Sequence, residues 1–494
     1  MRHLAFRGAA VGAALALTTL TACSSGDSGA DDDRLRYAYA FTPVAALSPY
    51  SDDAVTSYGV GATETLAALD SSGEPQPRLA TSWEQVDDTT WELEIREGVV
   101  FHDGTELTAE SVVDSLTYAA EADPRPRSLS GVELSAEAVD DATVRVTTAD
   151  PDPILIARLT SPELVILAES AYDDPAQPDP VGTGTGPYEI TQLDGTSGAT
   201  LDAYADYWNG EPPLEGIDVS FVAEGDSRAS SLRSGQVELA QALPASQLDQ
   251  LDDGELLAVP LPRTIALHLT QTSDVFSDPG LRATASEALD DLDIADTIYG
   301  GYADPADGLF VPDVSTWAAD RPEPELPEAS DPSGQVIELA TFSDRPELVE
   351  VATAIADAWR AAGFEVNTTV QEYNQLEEQF LDGTFDAVIM SRSYGQDTAD
   401  PISYLQTDFG CEGTYNISVY CDESVDGTLV DAAANADLEE RNATAVEVES
   451  TLLSQVAVIP LVHEWTQFGV VPGLSGLAED PWERAVITAE TTLD

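Results

Sequence analysis

The stretch WELEIREGVVFHDGTELTAESVVDSL, residues 91–116, decides how the chain begins to fold. Residues 91–96 alternate Trp, Leu and Ile with Glu and Arg, which is the period of a half-buried strand. The tripeptide HDG that follows is a turn signal. Thr108 then precedes apolar residues at helical spacing and is suited to be the N-cap, whereas Ser111 is not expected to complete a capping box. The stretch predicts strand, tight turn, strand and helix.

The pair His102 and Asp103 raises the question of whether this turn is catalytic. A histidine oriented by a carboxylate can act as a base, but a histidine in a tight turn more often bonds its own backbone. The chain has no GxSxG, HExxH, P-loop or GxGxxG motif, and His268 and His463 lie far from His102 in the sequence. We therefore expect no enzyme, no metal site and no cofactor.

Charge is the most unusual property of the chain. Its 494 residues include 91 Asp and Glu but only 20 basic residues, all of them Arg, so the formal net charge is -71. The length suggests two or three lobes. The charge argues against nucleic acid as a partner, because phosphate contacts need clustered Lys and Arg. A carboxylate-coated, salt-adapted surface is one explanation, and drift in an acidic, arginine-rich composition is the other.

The N-terminus predicts an exported protein with a lipid anchor. Arg2 and Arg7 precede a short apolar run, and LTAC, which ends at Cys23, looks like a bacterial lipobox. We expect a signal peptide at 1–22, lipid on Cys23, and a flexible polar tether at 23–33. The alternative is a plain secretory signal with a chance cysteine.

Two further cysteines stand ten positions apart. In an exported, oxidising setting Cys411 and Cys421 are expected to form a disulfide. Two unpaired thiols are the alternative.

A β-α-β-α-β pattern follows a Pro-rich acidic connector at residues 321–334. VIELATF at 336–342 predicts a strand, an amphipathic helix ends at Gly363, and FDAVIMS at 385–391 predicts a buried strand. Asn374 and Glu377 suggest a capping box for the short helix between them.

A parallel sheet is expected from this pattern, and ligands bind beyond the carboxyl ends of such strands. Arg345 follows the first strand, and Asp397 lies in the loop after the third. Both are therefore candidate ligand-binding residues.

Several segments together resemble the family-5 extracellular solute-binding proteins, the receptors of peptide and nickel ABC importers. The opening stretch resembles the signature of that family. The other segments follow in the family's order: PRLATSW, GTGPYEI, YADYWNG, LRSGQVELA, FSDPGLRATASEALD and VIPLVH. Ser111 and Gln236 depart from the family's usual Asp and Glu.

This resemblance implies an α/β fold with two lobes that close on a ligand through a hinge, plus an extra small α/β domain. The first lobe would combine residues 34–66, 183–268 and 466–494. The extra domain would span 67–182 and the second lobe 269–465. His102 would be structural, because the family's corresponding turn lies away from the ligand.

The resemblance also implies a role as a receptor that catalyses nothing and delivers its solute to ABC importer permease subunits. SDRPEL resembles the segment of dipeptide-binding proteins whose arginine takes the peptide carboxylate, here Arg345. YGQDTADPISYL resembles their aspartate loop, in which Asp397 would take the ammonium. Tyr394, which opens that loop, is the third candidate ligand-binding residue.

We therefore expect a monomeric receptor for short peptides, lipid-anchored at the cell surface on the outer face of the cytoplasmic membrane. A nickel chelate or another small non-peptide solute is the alternative ligand. An exported hydrolase or a ligand sensor on the same fold is the alternative of another class.

Overall fold

The computed structural model describes residues 34–252, 254–319, 321–343, 345–395 and 398–494. The predicted signal peptide, the tether and Cys23 lie outside the described residues, and so does Asp397. Within the described ranges, no helix combines the length and apolar character that crossing a membrane requires.

Strands and helices are numbered here in chain order. The strands are β1 (Arg34–Tyr39), β2 (Ala67–Leu69), β3 (Pro75–Pro77), β4 (Ala80–Asp87), β5 (Thr90–Ile95), β6 (Leu134–Ala138), β7 (Thr143–Thr148), β8 (Tyr188–Leu193), β9 (Gly198–Ala203), β10 (Gly216–Phe221), β11 (Leu239–Ala240), β12 (Leu256–Leu269), β13 (Ala303–Pro305), β14 (Val336–Phe342), β15 (Glu365–Gln371), β16 (Ala387–Ser393), β17 (Val458–Val470), β18 (Leu474–Ser475) and β19 (Thr492–Leu493). The α-helices are α1 (Ala54–Gly59), α2 (Ala109–Glu121), α3 (Leu155–Arg158), α4 (Gly225–Arg233), α5 (Ala245–Leu248), α6 (Pro279–Glu287), α7 (Ile294–Thr297), α8 (Pro346–Ala362), α9 (Tyr373–Leu381), α10 (Pro401–Phe409), α11 (Glu423–Ala433) and α12 (Leu438–Ser454).

An eleven-stranded mixed sheet forms the main framework. Its order is β15-β14-β16-β12-β17-β11-β1-β10-β9-β8, and β13 pairs with β17 beside this path. The long antiparallel strands β12 and β17 stand in the middle and connect its two parts. Their pairing changes register between Pro260 and Thr264. This irregularity is expected, because a proline has no N–H to donate to the sheet.

The predicted β-α-β-α-β unit is present. Strand β14 pairs in parallel with both β15 and β16. Helix α8 buries one face, including Trp359, and ends at Gly363, whose φ of 115° lies in the left-handed region. Parallel pairing brings the carboxyl ends of β14 and β16 to the same edge of the sheet.

Two capping predictions were wrong. The hydroxyl of Ser111 accepts a hydrogen bond from the Thr108 N–H at 2.9 Å while Thr108 Oγ1 accepts one from the Ser111 N–H at 3.2 Å. Serine thus completes a capping box in place of Glu or Gln. Helix α9 begins at Tyr373 after Glu372, which makes no side-chain capping bond, so Asn374 is not the cap.

A separate four-stranded antiparallel sheet has the order β4-β5-β7-β6. It shares an apolar core with α2, in which Leu93, Val112, Leu116 and Val144 are buried. The predicted strand and helix of the opening stretch are therefore β5 and α2. Between them the turn is closed by a single bridge, Val100 to Glu106, rather than by a second full strand.

The turn at His102 docks on the glycine-rich segment GTG. The backbone N–H of His102 donates to Gly184 O, and its ring Nε2 bonds Gly186 O, both at 2.9 Å. A Cβ at Gly184 would lie 2.1 Å from Ala62 O, and one at Gly186 would lie 2.2 Å from Gly61 O. Glycine is required there because two backbone segments cross in contact. The domain boundaries given above remain a prediction.

Candidate ligand-binding site

Arg345 lies at the carboxyl end of β14, as the N-cap residue of α8. Its side chain is 33% exposed, and Nη1 donates to both carboxylate oxygens of Glu464 at 2.9 Å and to Ser391 Oγ at 3.3 Å. Among the residues that the structure describes, Nε and Nη2 of Arg345 have no hydrogen-bond partner. One edge of the guanidinium is thus held by the protein, and the other edge has donors available.

A second arginine extends this network toward the C-terminus. Arg263 on β12 donates from Nε and Nη2 to Glu483 at 3.0 and 2.7 Å, and from Nη1 to Ser391 Oγ at 3.4 Å. Ser391 on β16 in turn donates to Glu464 on β17. Two arginines and Glu464 therefore meet at one serine hydroxyl, and Glu483 joins the network through Arg263. Because their charges balance, the network can be buried at a modest electrostatic cost.

Tyr394, directly after β16, is buried in an aromatic cluster. Its hydroxyl is hydrogen-bonded to that of Ser315, and its ring lies 5.3 Å from Phe310, 5.7 Å from Trp482 and 6.4 Å from Trp317, centroid to centroid. Burial raises the pKa of the Tyr394 hydroxyl, so it stays protonated.

A C-terminal segment, residues 480–487, packs on Gly395, the residue after Tyr394. A Cβ at Gly395 would lie 2.4 Å from the Trp482 ring, so the ring packs directly on the backbone. Arg484 Nη2 donates to Gly395 O at 3.0 Å, and Nη1 donates to Thr160 O at 2.9 Å. Trp482 Nε1 donates to Asp70 O at 2.7 Å. The segment therefore connects the loop after β16 to residues of the predicted extra domain.

Asp397 cannot be placed relative to Arg345, because it lies outside the described residues. Its neighbour Asp400 is described and has a structural role. The Asp400 carboxylate accepts hydrogen bonds from Arg441 Nε and Nη2 at 3.1 and 2.6 Å and from the Ser403 N–H at 2.7 Å. Asp400 thus forms a buried ion pair and caps α10.

Cys411 and Cys421 are joined by a disulfide in the connection between α10 and α11. Asn416 organises the loop that they close. Its Nδ2 donates to Gly410 O at 2.9 Å and to Tyr420 O at 2.6 Å, and its Oδ1 accepts from the Tyr420 N–H at 3.0 Å.

The three histidines of the described chain are internal and separate. Burial lowers the pKa of His102 and of His463 to about 4, and that of His268 to about 3. Nowhere in the described ranges do three or more His, Cys, Asp or Glu side chains form a group that could hold a metal ion. The three described histidines are therefore buried in the protein interior and uncharged at neutral pH.

Sequence reasoning pointed to Arg345 and Tyr394 but missed Glu464, Arg263, Glu483 and the C-terminal segment. Glu464 carries one signal, since it is the single acidic residue in the sequence VIPLVHEWTQFGV of β17. Nothing in the sequence links Glu483 to β12, because the contact joins residues 220 positions apart.

The large mixed sheet, with the long strands β12 and β17 in its middle, has the architecture of a two-lobed solute-binding protein. The model of the family "Bacterial extracellular solute-binding proteins, family 5 Middle" matches residues 74–416, and the chain belongs to this family. The nickel-binding protein NikA of Staphylococcus aureus is 26% identical over 80% of this chain and 82% of its own length. The glutathione-binding protein GsiB of Escherichia coli K12 is 24% identical over 85% of this chain and 86% of its own length.

A solved dipeptide-binding protein from Pseudoalteromonas sp. SM9913, in complex with Met-Leu, covers 93% of this chain and 100% of its own. It matches with a TM-score of 0.79 at 19% identity, which concerns the fold alone. The predicted two-lobed α/β fold is confirmed. The chain is an exported solute-binding receptor of an ABC importer, and its relatives are binding proteins.

Proposed function

We propose that the protein is a lipid-anchored receptor that captures short peptides by both ends and delivers them to a membrane permease. The observation that carries this proposal is the geometry of Arg345. Glu464 and Ser391 engage only its Nη1, and two donors remain along the other edge of the guanidinium. A guanidinium edge of this kind matches a carboxylate in a two-point contact.

The other end of a peptide needs an anionic partner. An ammonium ion buried in a closed cleft without a counter-charge costs several kcal/mol. Asp397 follows the strand beside that of Arg345 and is the residue we assign to the ammonium. The glutathione-binding relative supports a ligand of this class, since glutathione is a short peptide with an ammonium and carboxylates.

Calorimetry with end-blocked peptides tests both assignments. Asp397→Ala should weaken binding of a free dipeptide by about 2–5 kcal/mol, the usual effect of leaving a buried charge unpaired. N-acetylation should weaken binding to the wild type but hardly to this variant. Amidation of the C-terminus of the dipeptide should likewise weaken binding to the wild type but hardly to Arg345→Gln.

Arg360→Gln is the matched control, because Arg360 is an exposed arginine on α8 that pairs with Asp357 at 3.0 Å. It should bind like the wild type. Equal binding of free and acetylated dipeptide by the wild type would exclude Asp397 as the ammonium partner and remove most of the case for peptides.

A nickel chelate is the second candidate, favoured by the relationship to NikA. The internal positions of the described histidines argue against direct nickel ligation by this chain. Native mass spectrometry of the purified protein with its co-purified ligand retained separates the two ligand classes by mass. Product formed from peptides in excess over protein would instead indicate a hydrolase.

The lipid anchor is proposed at Cys23, which lies outside the described residues. We expect Cys23→Ala to release the protein into the medium, since stable anchoring needs the acyl chains on that thiol. Cell fractionation measures this. Unchanged membrane association of the variant would exclude Cys23 as the anchor.

A further inference from the structure

Glu449 on α12 is a fully buried carboxylate, with 0% exposure. Its Oε1 accepts hydrogen bonds from two consecutive backbone N–H groups, Leu309 at 2.5 Å and Phe310 at 3.2 Å. Its Oε2 lies 3.4 Å from Arg321 Nε, and neither of these two atoms has a hydrogen-bond partner in the described structure. One side chain therefore fixes the backbone of a distant loop, the segment 307–319, which we call the aromatic segment.

The ion pair between Glu449 and Arg321 leaves no space at the start of the aromatic segment. Arg321 is 6% exposed, and its Nη1 donates to Asp307 at 2.7 Å. A Cβ at Gly308 would lie 1.8 Å from Arg321 Nη1 and 2.5 Å from Glu449 Oε1. The backbone at Gly308 thus passes directly over the ion pair, and glycine is required by this close approach.

The other end of the aromatic segment surrounds Tyr394. Ser315 bonds the Tyr394 hydroxyl, and Phe310 and Trp317 pack on its ring. Phe310 and Trp317 also pack on each other, at 4.9 Å between centroids. Phe310 is therefore held by Glu449 through its N–H and contacts Tyr394 through its ring.

We propose that Glu449 is a positioning residue of the ligand cleft, which fixes Tyr394 through the aromatic segment, so that ligand capture depends on whether the Glu449 carboxyl group is charged. This inference rests on the proposed function in one respect, which is that Tyr394 is taken to line the cleft that binds the peptide. The carboxylate form holds the segment, since charged acceptors make stronger hydrogen bonds and pair with Arg321. Protonation of Glu449 weakens its hydrogen bonds to the backbone and its ion pair with Arg321. The aromatic segment that packs on Tyr394 is then held less firmly.

Three charged or titratable groups face Glu449 from the elements packed on it: Arg321, Asp307 and Tyr404 of α10. His463 of β17 faces Arg321 and Asp307 instead. Burial raises the pKa of Glu449 to about 7, against the attraction of Arg321. Burial lowers the pKa of His463 to about 4 and raises that of Tyr404, so neither changes charge near neutral pH. Asp307 is exposed and pairs with Arg321.

The test is ¹⁹F NMR of the full mature chain labelled with 5-fluorotryptophan, followed between about pH 6 and pH 8 without ligand. The Trp317 signal, assigned by Trp317→Phe, should titrate with a midpoint near 7 in the wild type. It should be independent of pH in Glu449→Gln. Glu163→Gln is the matched control, because Glu163 is also buried, accepts a backbone N–H from Ser128 at 2.9 Å and pairs with Arg127. It should keep the titration.

Gly308→Ala is a second variant that disturbs the ion pair without removing a titratable group. Its Trp317 signal should hold the low-pH position of the wild type throughout. The affinity of the wild type for the dipeptide Met-Leu, relative to that of Glu449→Gln at the same pH, should fall about tenfold from pH 8 to pH 6, because the binding-competent fraction falls by that factor. The affinity of Glu449→Gln itself should follow only the protonation of the dipeptide's amino group, whose pKa is about 8.

A Trp317 signal that does not titrate, or that titrates equally in Glu449→Gln, would overturn the proposal. Titration of Trp317 together with the same pH dependence of Met-Leu affinity in the wild type and in Glu449→Gln would overturn its link to the ligand. Titration with no Met-Leu binding at any pH would support the positioning by Glu449 and refute peptide as the ligand.

Discussion

At the scale of single residues, the contacts of a side chain decide its role. The pair of His102 and Asp103 has the composition of a catalytic dyad, yet the ring of His102 bonds Gly186 O and packs on Tyr204 at 4.7 Å between centroids. Asp103 instead accepts from the Thr105 N–H at 2.9 Å and closes the turn. Both side chains therefore make backbone contacts within or beside the turn.

The buried state of His102 predicts how stability depends on pH. Its folded pKa is depressed to about 4 by burial, against an ordinary value of 6.5. As the pH falls, the unfolded chain therefore binds a proton at His102 before the folded chain does. The contribution of His102 to the free energy of unfolding is complete above pH 6.5 and is lost as the pH falls toward 4. The free energy of unfolding of the wild type should fall relative to that of His102→Gln by about 1.4 kcal/mol per pH unit in this window.

Urea denaturation of both proteins at about pH 7, 6 and 5 measures the difference. A constant offset between the two curves would mean that folding does not lower the pKa of His102. Glu449→Gln supplies a control of opposite sign. The pKa of Glu449 is raised to about 7, so the wild type should gain stability relative to this variant as pH falls from 7 toward 4.5.

At the scale of elements, local patterns predicted local structure well. The alternation in β14 and the amphipathic period of α8 are properties of consecutive residues, and the bounds at Val336–Phe342 and at Gly363 followed from them. The long strand β12 was not predicted, because Pro260 and Pro262 argue against a strand. The structure accommodates them with a change of register toward Thr264.

The candidate site also has one feature that local sequence predicts and one that it does not. The position of Arg345 followed from the end of one strand, whereas its contact with Glu464 joins residues 119 positions apart. Such pairs are selected by the tertiary fold, and a single sequence with 91 acidic residues gives no means to choose among them.

The connection between α10 and α11 is the element whose stability we expect to depend on a covalent link. We predict that Cys411 and Cys421 form their disulfide in the exported protein, and that the double Ser variant loses about 2–3 kcal/mol of unfolding free energy. Labelling of the folded protein with a thiol reagent without reductant should give no signal at either site. Asn416→Ala, which removes four hydrogen bonds of the same loop, is the control that leaves the cysteines intact. Quantitative labelling of both thiols in the wild type would contradict the prediction.

At the scale of the whole molecule, the distribution of charge matters more than its sum. Many of the arginines serve as internal connections: Arg228, Arg263, Arg282, Arg441 and Arg484 are buried. Arg228, for example, donates to four backbone carbonyls. The solvent-facing surface is therefore more uniformly anionic than a net charge of -71 alone implies.

A surface of this kind predicts that salt stabilises the protein. Like charges repel in the compact state, and screening shortens the range of that repulsion from about 30 Å at 0.01 M salt to about 3 Å at 1 M. The melting temperature should rise with NaCl and do so most steeply below about 0.5 M, where the screening length changes most. Differential scanning calorimetry at constant pH measures it. In the double variant Asp290→Asn, Asp291→Asn, which removes two exposed charges from an acidic cluster, the melting temperature at low salt should be higher and its rise with salt smaller. A melting temperature that stays flat or falls with salt in the wild type would show that repulsion among surface carboxylates does not limit the stability of this fold.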